Sequence, residues 1–239
     1  MDIESRLSRG CAHTSAALTL STDRIDHVKA SHSYRNFLLS EVKLPVYAVS
    51  PGAGLLRPAT QCPSPNQDDR PAGIEPEAIV IHNISLPPGE FGGSHVQELF
   101  TNCLDWDAHP YFDEIRDLKV SAHLLISRDG KITQFVPFGR RAWHAGDSSF
   151  RGRTACNDFS IGIELEGEDD TPYTDEQYGH LVAAIKAICE CYPEVTVRHI
   201  AGHSDVSPGR KSDPGPAFDW LRLYDGLKGT SKYLSNEKR

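Results

Sequence analysis

The chain has 239 residues, 38% of them hydrophobic and 24% charged, with a formal net charge of −8. These are ordinary globular values, enough for one good-sized domain with an appendage. The acidic balance and the lack of any Lys/Arg run argue against a nucleic-acid partner, and no apolar stretch approaches the ~20 residues of a membrane helix.

Near the start, Asp2 and Glu4 spoil the positive region of an export signal, and the apolar run at 15–20 is short for its core. A cytoplasmic protein without a membrane partner is therefore expected, with a monomer as the default. The six cysteines show no C-x-x-C spacing and are read as thiols, in keeping with a reducing compartment.

Residues 1–50 carry no sustained periodicity beyond a possible short helix at 34–42, and are read as a partly disordered N-terminal extension. The stretch 50–76 is rich in Pro, Gly, Asn and Asp and reads as linker or irregular loop, so the domain is taken as 51–225, followed by a polar tail at 226–239. From 77 the pattern sharpens. "EAIVIHN" (77–83) is a short apolar run that fits a buried strand, and 94–102 reads as helix. Two strand-like runs within 119–138 flank Asp129-Gly130, a dipeptide that supplies the positive φ angles of a tight hairpin turn. "FSIGIELE" (159–166) alternates, putting Phe159, Ile161, Ile163 and Leu165 on one face and Ser160, Gly162, Glu164 and Glu166 on the other. The stretch 174–193 is the strongest helix. Thr174 and Gln177 make a capping box, an apolar stripe runs from Tyr178 to Tyr192, and Pro193 stops it. A strand at 195–203 and a short helix at 217–224 complete an α/β domain with a mixed central sheet flanked by helices.

Eleven histidines are many for this length. His82, His123, His199 and His203 lie on or at the ends of expected strands, and His144 lies in "AWHAG" (142–146). A lone strand histidine is usually a hydrogen-bonded core residue. Several of them beside an Asp-bearing loop raise the case for a metal. A catalytic zinc takes three protein ligands and leaves a fourth position open, and His82, His203 and Asp213 suit that pattern. Spacing alone leaves this trio only suggestive. H-E-x-x-H is absent, which excludes the helix-borne protease arrangement. The loop "AGHSDVSPGRKSDPG" (201–215) is broken by turn formers yet carries His203, Asp205, Lys211 and Asp213; Asp205 is read as bracing the loop.

Five segments, "VIHNISLPPGEFGG" (80–93), "SAHLLISRDG" (121–130), "RAWHAGDSSF" (141–150), "CNDFSIGIELEG" (156–167) and "GHSDVSPGRKSDPGPAFDW" (202–220), resemble the zinc-dependent N-acetylmuramoyl-L-alanine amidases. The likeness covers roughly 52–222 in order and points to the branch that acts on anhydro-muropeptides during peptidoglycan recycling. It implies a mixed sheet with flanking helices, Zn2+ held by His82, His203 and Asp213, Glu164 as the catalytic carboxylate and Lys211 as the loop lysine beside the metal. Asn83 and Trp143 become walls of a substrate groove, and the substrate partner becomes a muropeptide. Two departures stand out. Ala122 occupies the place where phage-type relatives carry a tyrosine, which leaves Glu164 to serve as base. Ala155 stands where related chains carry a substrate-holding arginine, with Arg151 or Arg153 as the candidate replacements.

Two other readings stay open at this level. Glu164 and Glu166, alternate on one strand, sit ~7 Å apart along the backbone and suggest an inverting glycosidase pair that needs no metal. A muropeptide-binding module without turnover is the other.

Overall fold

The computed structural model describes residues 44–230. In chain order the strands are β1 (Ala48–Ser50), β2 (Leu55–Arg57), β3 (Thr60–Gln61), β4 (Gln67–Asp69), β5 (Ala78–Ile84), β6 (Leu124–Ile126), β7 (Ile132–Gln134), β8 (Arg140–Ala142), β9 (Ser149–Phe150), β10 (Arg153–Thr154), β11 (Ser160–Glu166) and β12 (Ile200–Gly202). The α-helices are α1 (His95–Phe100), α2 (Asp175–Cys191), α3 (His203–Val206) and α4 (Trp220–Leu227). Six strands form the main sheet in the order β12-β5-β11-β6-β7-β3. The β12, β5, β11 and β6 strands run parallel, and β7 turns back antiparallel to β6. This is the expected mixed α/β sheet.

The strand period of two sorts the core into layers. Ile79 and Ile81 of β5, Leu124 and Ile126 of β6, and Ile161, Ile163 and Leu165 of β11 pack with Leu181, Ile185 and Ile188 of α2. The opposite face meets two smaller clusters. One gathers Leu99 and Phe100 of α1 with Phe112, Leu125 and Phe135; the other gathers Val80, Ala145, Cys156, Ala201 and Val206. Helix α2 starts where its sequence says it should. Thr174 Oγ1 accepts from Gln177 N, and Gln177 Oε1 accepts from Thr174 N, each at 3.1 Å.

Several expectations need correction. The stretch 50–76 is not a plain linker: β2, β3 and β4 lie in it, Leu56 is fully buried and Arg70 is 8% exposed. Arg70 donates to the carbonyls of Phe138, Asn157, Asp158 and Ser160, tying this segment to the start of β11. The hairpin at Asp129-Gly130 exists, but only Gly130 has a positive φ, 82°. Gly130 N donates to Ser127 O, and the Asp129 carboxylate accepts from Lys131 N and Ser127 Oγ, which gives a wider loop than the two-residue turn. In the expected strand at 195–203, residues Val197–His199 form a 3-10 turn and only Ile200–Gly202 pair with β5. The tail boundary at 226 falls inside α4, whose Leu227 is buried. Both faces of β11 are buried, including the one that carries Glu164 and Glu166. The expected helix at 34–42 lies outside the described residues, and none of the described helices is long and apolar enough to cross a membrane.

Candidate metal centre

Parallel strands put their carboxyl ends on one edge of a sheet, and a crevice there is the usual ligand position in such folds. His82 sits near that end of β5, on the face opposite α2, and the strand register pairs it with Glu164 of β11. Next to β5, β12 runs directly into α3, whose first residue is His203. The loop beyond α3 folds back so that Ser204 N donates to Asp213 O, and Asp205 Oδ2 accepts from Gly202 N. Asp205 therefore braces the loop, as expected. Those bonds bring Asp213 to the two histidines.

The three side chains converge closely. His82 Nδ1 and His203 Nδ1 are 2.9 Å apart, and Asp213 Oδ2 lies 3.1 Å from the first and 3.0 Å from the second. Donors at 2.0–2.1 Å from a tetrahedral zinc are separated by about 3.3 Å, so this triangle is close to one face of such a site. Both histidines are buried, at 1% and 4% exposure. His203 Nε2 lies 3.2 Å from the Ala145 carbonyl, which can only accept, so the ring donates there and keeps a lone pair on Nδ1. Arg210 Nη2 is 3.4 Å from the same nitrogen but has closer acceptors in the carbonyls of Ala145 and Asp147.

Electrostatics agree with a ligand set. Burial pushes the His82 imidazolium down to about 4, with the nearby His203 adding to the effect against Asp213. Burial would raise Asp213, but its close contacts with His203 and His82 outweigh it and hold the carboxyl well below its usual range. A neutral His82 and an ionised Asp213 are protonation states that metal binding requires.

A cavity of about 600 Å³ opens over this triangle, lined by His82, His203, Asp213, Glu164, Lys211 and Asn83, with Leu86, Leu99, Phe100 and Val120 on its apolar side. Glu164 is 8% exposed, and its Oε2 is buried without a hydrogen-bond partner among the described residues. Burial raises its pKa well above the usual carboxylate value, Asp213 raises it further, and Lys211 opposes both. Glu166 is spent differently. Its carboxylate accepts from the backbone N–H groups of Gly92 and Arg128, which anchors the loop after β5. It does not line the cavity, which rules out Glu164 and Glu166 as a glycosidase pair.

The two expected groove residues part company. Asn83 lines the cavity, but its Nδ2 donates to Asp169 Oδ1 at 2.8 Å and to Pro214 O at 3.2 Å, so it also clamps the loop that carries Asp213. Trp143 is not part of the wall. Its backbone exchanges hydrogen bonds with Ser121, which takes the lining position instead. Arg151 and Arg153 also stand away from the cavity, and Arg153 is occupied by Glu77 at 2.9 Å and by the Phe159 ring. His123 and His199 are structural: His123 Nδ1 accepts from Gly162 N, and His199 Nδ1 faces the carbonyls of Glu77 and Glu194.

Sequence reasoning passed over His144. Its Nδ1 lies 2.9 Å from His82 Nε2, and burial, reinforced by the neighbouring imidazoles, keeps the ring neutral. The glycine in the middle of β11 signals it, because a Cβ at Gly162 would stand 2.5 Å from His144 Cγ.

Comparison with known proteins bears on the same region. The family profile described as N-acetylmuramoyl-L-alanine amidase matches residues 72–216, which include all three triangle residues and both Glu164 and Lys211. The chain is 57% identical over 170 residues to the 1,6-anhydro-N-acetylmuramyl-L-alanine amidase AmpD of Escherichia coli, covering 71% of this chain and 92% of that protein. It is 51% identical over 175 residues to the AmpD of Haemophilus influenzae, covering 73% and 95%. A crystal structure of a selenomethionine AmpD derivative superposes with a TM-score of 0.72 at 54% identity, covering 73% of this chain and 97% of that one. Matching profile, relatives and fold converge on one assignment: the chain belongs to the N-acetylmuramoyl-L-alanine amidase family.

Proposed function

We propose that the protein is a zinc amidase that hydrolyses the bond between (1,6-anhydro-)N-acetylmuramic acid and L-alanine in muropeptides, during peptidoglycan recycling. The observation that carries this reading is the convergence of two imidazole nitrogens and one carboxylate oxygen within 3.1 Å of one another, at the floor of a cavity shared with a buried carboxyl. The names of the relatives supply the substrate class.

His82, His203 and Asp213 would hold the metal. Bound Zn2+ supplies a Lewis acid and lowers the pKa of water to about 7. Glu164 accepts the proton of the attacking water on its carboxylate and passes it to the departing alanine nitrogen, a role worth ~10²–10⁴-fold. Its raised pKa suits that exchange, because a group whose pKa lies nearer the working pH can both take and return a proton. Lys211 Nζ meets the negative charge that develops on the carbonyl oxygen. The apolar side of the cavity excludes water around the reacting bond and strengthens both charges. We read the enzyme as a cytoplasmic monomer; the unbridged Cys62, Cys103 and buried Cys156 agree with a reducing compartment.

Mass spectrometry of anhydro-muropeptides incubated with the protein tests substrate, bond and metal together. Release of intact stem peptide, abolished by a chelator and restored by zinc, is the expected result. New reducing sugar ends, or peptide release indifferent to chelation, would overturn it.

A further inference from the structure

Among the described residues, the Asp213 carboxylate has no hydrogen-bond neighbour except the two imidazoles, so its backbone must bring it to the triangle. Proline has no N–H, and the chain just after Asp213 can therefore be held only through carbonyl oxygens. Both of these are taken. Asp213 O accepts from Ser204 N at 2.9 Å, and Pro214 O accepts from Tyr173 Oη at 2.8 Å and from Asn83 Nδ2 at 3.2 Å. Two donors fill the two lone pairs of that carbonyl. The Tyr173 hydroxyl has one other acceptor in reach, Glu168 O, at the longer distance of 3.5 Å.

The anchors are themselves fixed. Asn83 follows His82 on β5, and Ser204 follows His203 in α3, so each is next to another corner of the triangle. Tyr173 is 6% exposed, and its ring packs edge-on against Phe218 at 5.5 Å between centroids. Asp169 Oδ1 accepts from Asn83 Nδ2 at 2.8 Å, and Asp169 O accepts from Ala217 N at 2.9 Å. The connection between β11 and α2, which carries Asp169 and Tyr173, thus grips the Asp213 loop on both sides of Gly215. That residue has a φ of 76°, and a Cβ on it would stand 2.2 Å from Asp169 Cα. Only glycine lets the two segments come this close.

We propose that Tyr173 and Asp169 are positioning residues for the metal centre. Tyr173 acts on Pro214 O directly and Asp169 acts on it through Asn83, and together they fix the backbone that presents Asp213 to His82 and His203. The effect on metal affinity rests on the zinc reading above; the clamp itself does not. Groups that orient metal ligands are typically worth 10–100-fold in affinity.

Two measurements without substrate test it. Zinc affinity, read by competition with a chromogenic chelator, should fall about 10-fold or more in Tyr173→Phe, which keeps the ring and loses the hydroxyl. Asp169→Ala should fall similarly, whereas Asp169→Asn keeps an acceptor oxygen for Asn83 and should bind zinc like the wild type. The visible absorption of the cobalt-substituted protein, which reports ligand geometry, should change in the two weakened variants and not in Asp169→Asn. A residue needed only for packing would lower the melting temperature and leave affinity and spectrum alone. In the metal-free protein, amide hydrogen exchange over residues 211–217 should speed up in Tyr173→Phe and Asp169→Ala. Wild-type zinc affinity in both folded variants, or unchanged exchange over 211–217, would overturn the proposal. An Asp169→Asn as weak as Asp169→Ala would also overturn it, by assigning the effect to the charge. If Tyr173→Phe does not fold, the Asp169 pair decides. A wild type that binds no zinc would defeat the metal reading and this proposal with it, an outcome distinct from normal zinc binding in wild type and variants alike.

Discussion

Glu164 pairs across the sheet with His82, yet its Oε2 has no hydrogen-bond partner among the described residues. That combination favours the neutral acid in the metal-free fold. Glutamate in an unfolded chain titrates near about 4.3, and the folded value is raised well above it. Below the unfolded value both states hold the proton and no stability is lost. As pH rises past it the unfolded chain ionises first, so the fold loses stability until the folded group also ionises. Glu164→Gln should therefore raise the melting temperature of the metal-free protein at neutral pH and leave it unchanged near pH 3. The same variant should retain zinc and lose ~10²–10⁴-fold in kcat. Full activity in a zinc-loaded Glu164→Gln would assign the base to another group. That His82, His203, Asp213, Glu164 and Lys211 meet at one cavity was legible at this scale, through the likeness of their segments to known amidases. The place of His144 was not. It depends on a ring passing over Gly162, a contact between β11 and the loop after β8 that no local pattern encodes. Trp143, the residue before it, was assigned to the groove by the family likeness, which does not fix which side chain of the segment faces the cavity.

Among the elements, those with long periodicity were the readable ones. The eight alternating residues at 159–166 identified β11, and the capping box placed the start of α2. Thr174→Ala should cost about 1 kcal/mol of unfolding free energy, measured by denaturant titration, because it leaves Gln177 N without its acceptor. Strands of two or three residues carry too little pattern to be seen, which is why β2, β3 and β4 hid inside a Pro- and Gly-rich stretch. Arg70 gives that stretch its importance. Burial lowers its pKa to about 10, a price met by five hydrogen bonds to four carbonyls. Arg70→Met should destabilise by more than about 3 kcal/mol, since several buried carbonyls would lose their donors at ~1–3 kcal/mol each. An unchanged denaturation midpoint would mean those carbonyls find other partners. The turn at Val197–His199 escaped detection for a different reason. Its residues suit a strand, but His199 is drawn aside to the carbonyls of Glu77 and Glu194 before β12 begins to pair.

For the molecule as a whole, sheet topology explains why distant segments make one site. His82, Glu164 and His203 come from the carboxyl ends of three adjacent parallel strands, and the loop after α3 adds Lys211 and Asp213. Ligand binding to the folded state alone stabilises it, by about 2.7 kcal/mol when the ligand is at a hundred times its Kd. Zinc should thus raise the melting temperature of the wild type and leave Asp213→Ala nearly unmoved. The most direct test is anomalous diffraction at the zinc edge from crystals of the zinc-loaded protein. One peak within bonding distance of His82 Nδ1, His203 Nδ1 and an Asp213 carboxylate oxygen, beside Glu164 but not bonded to it, is the predicted result. A peak elsewhere, or an ion reached through the other nitrogen of His82, would contradict it.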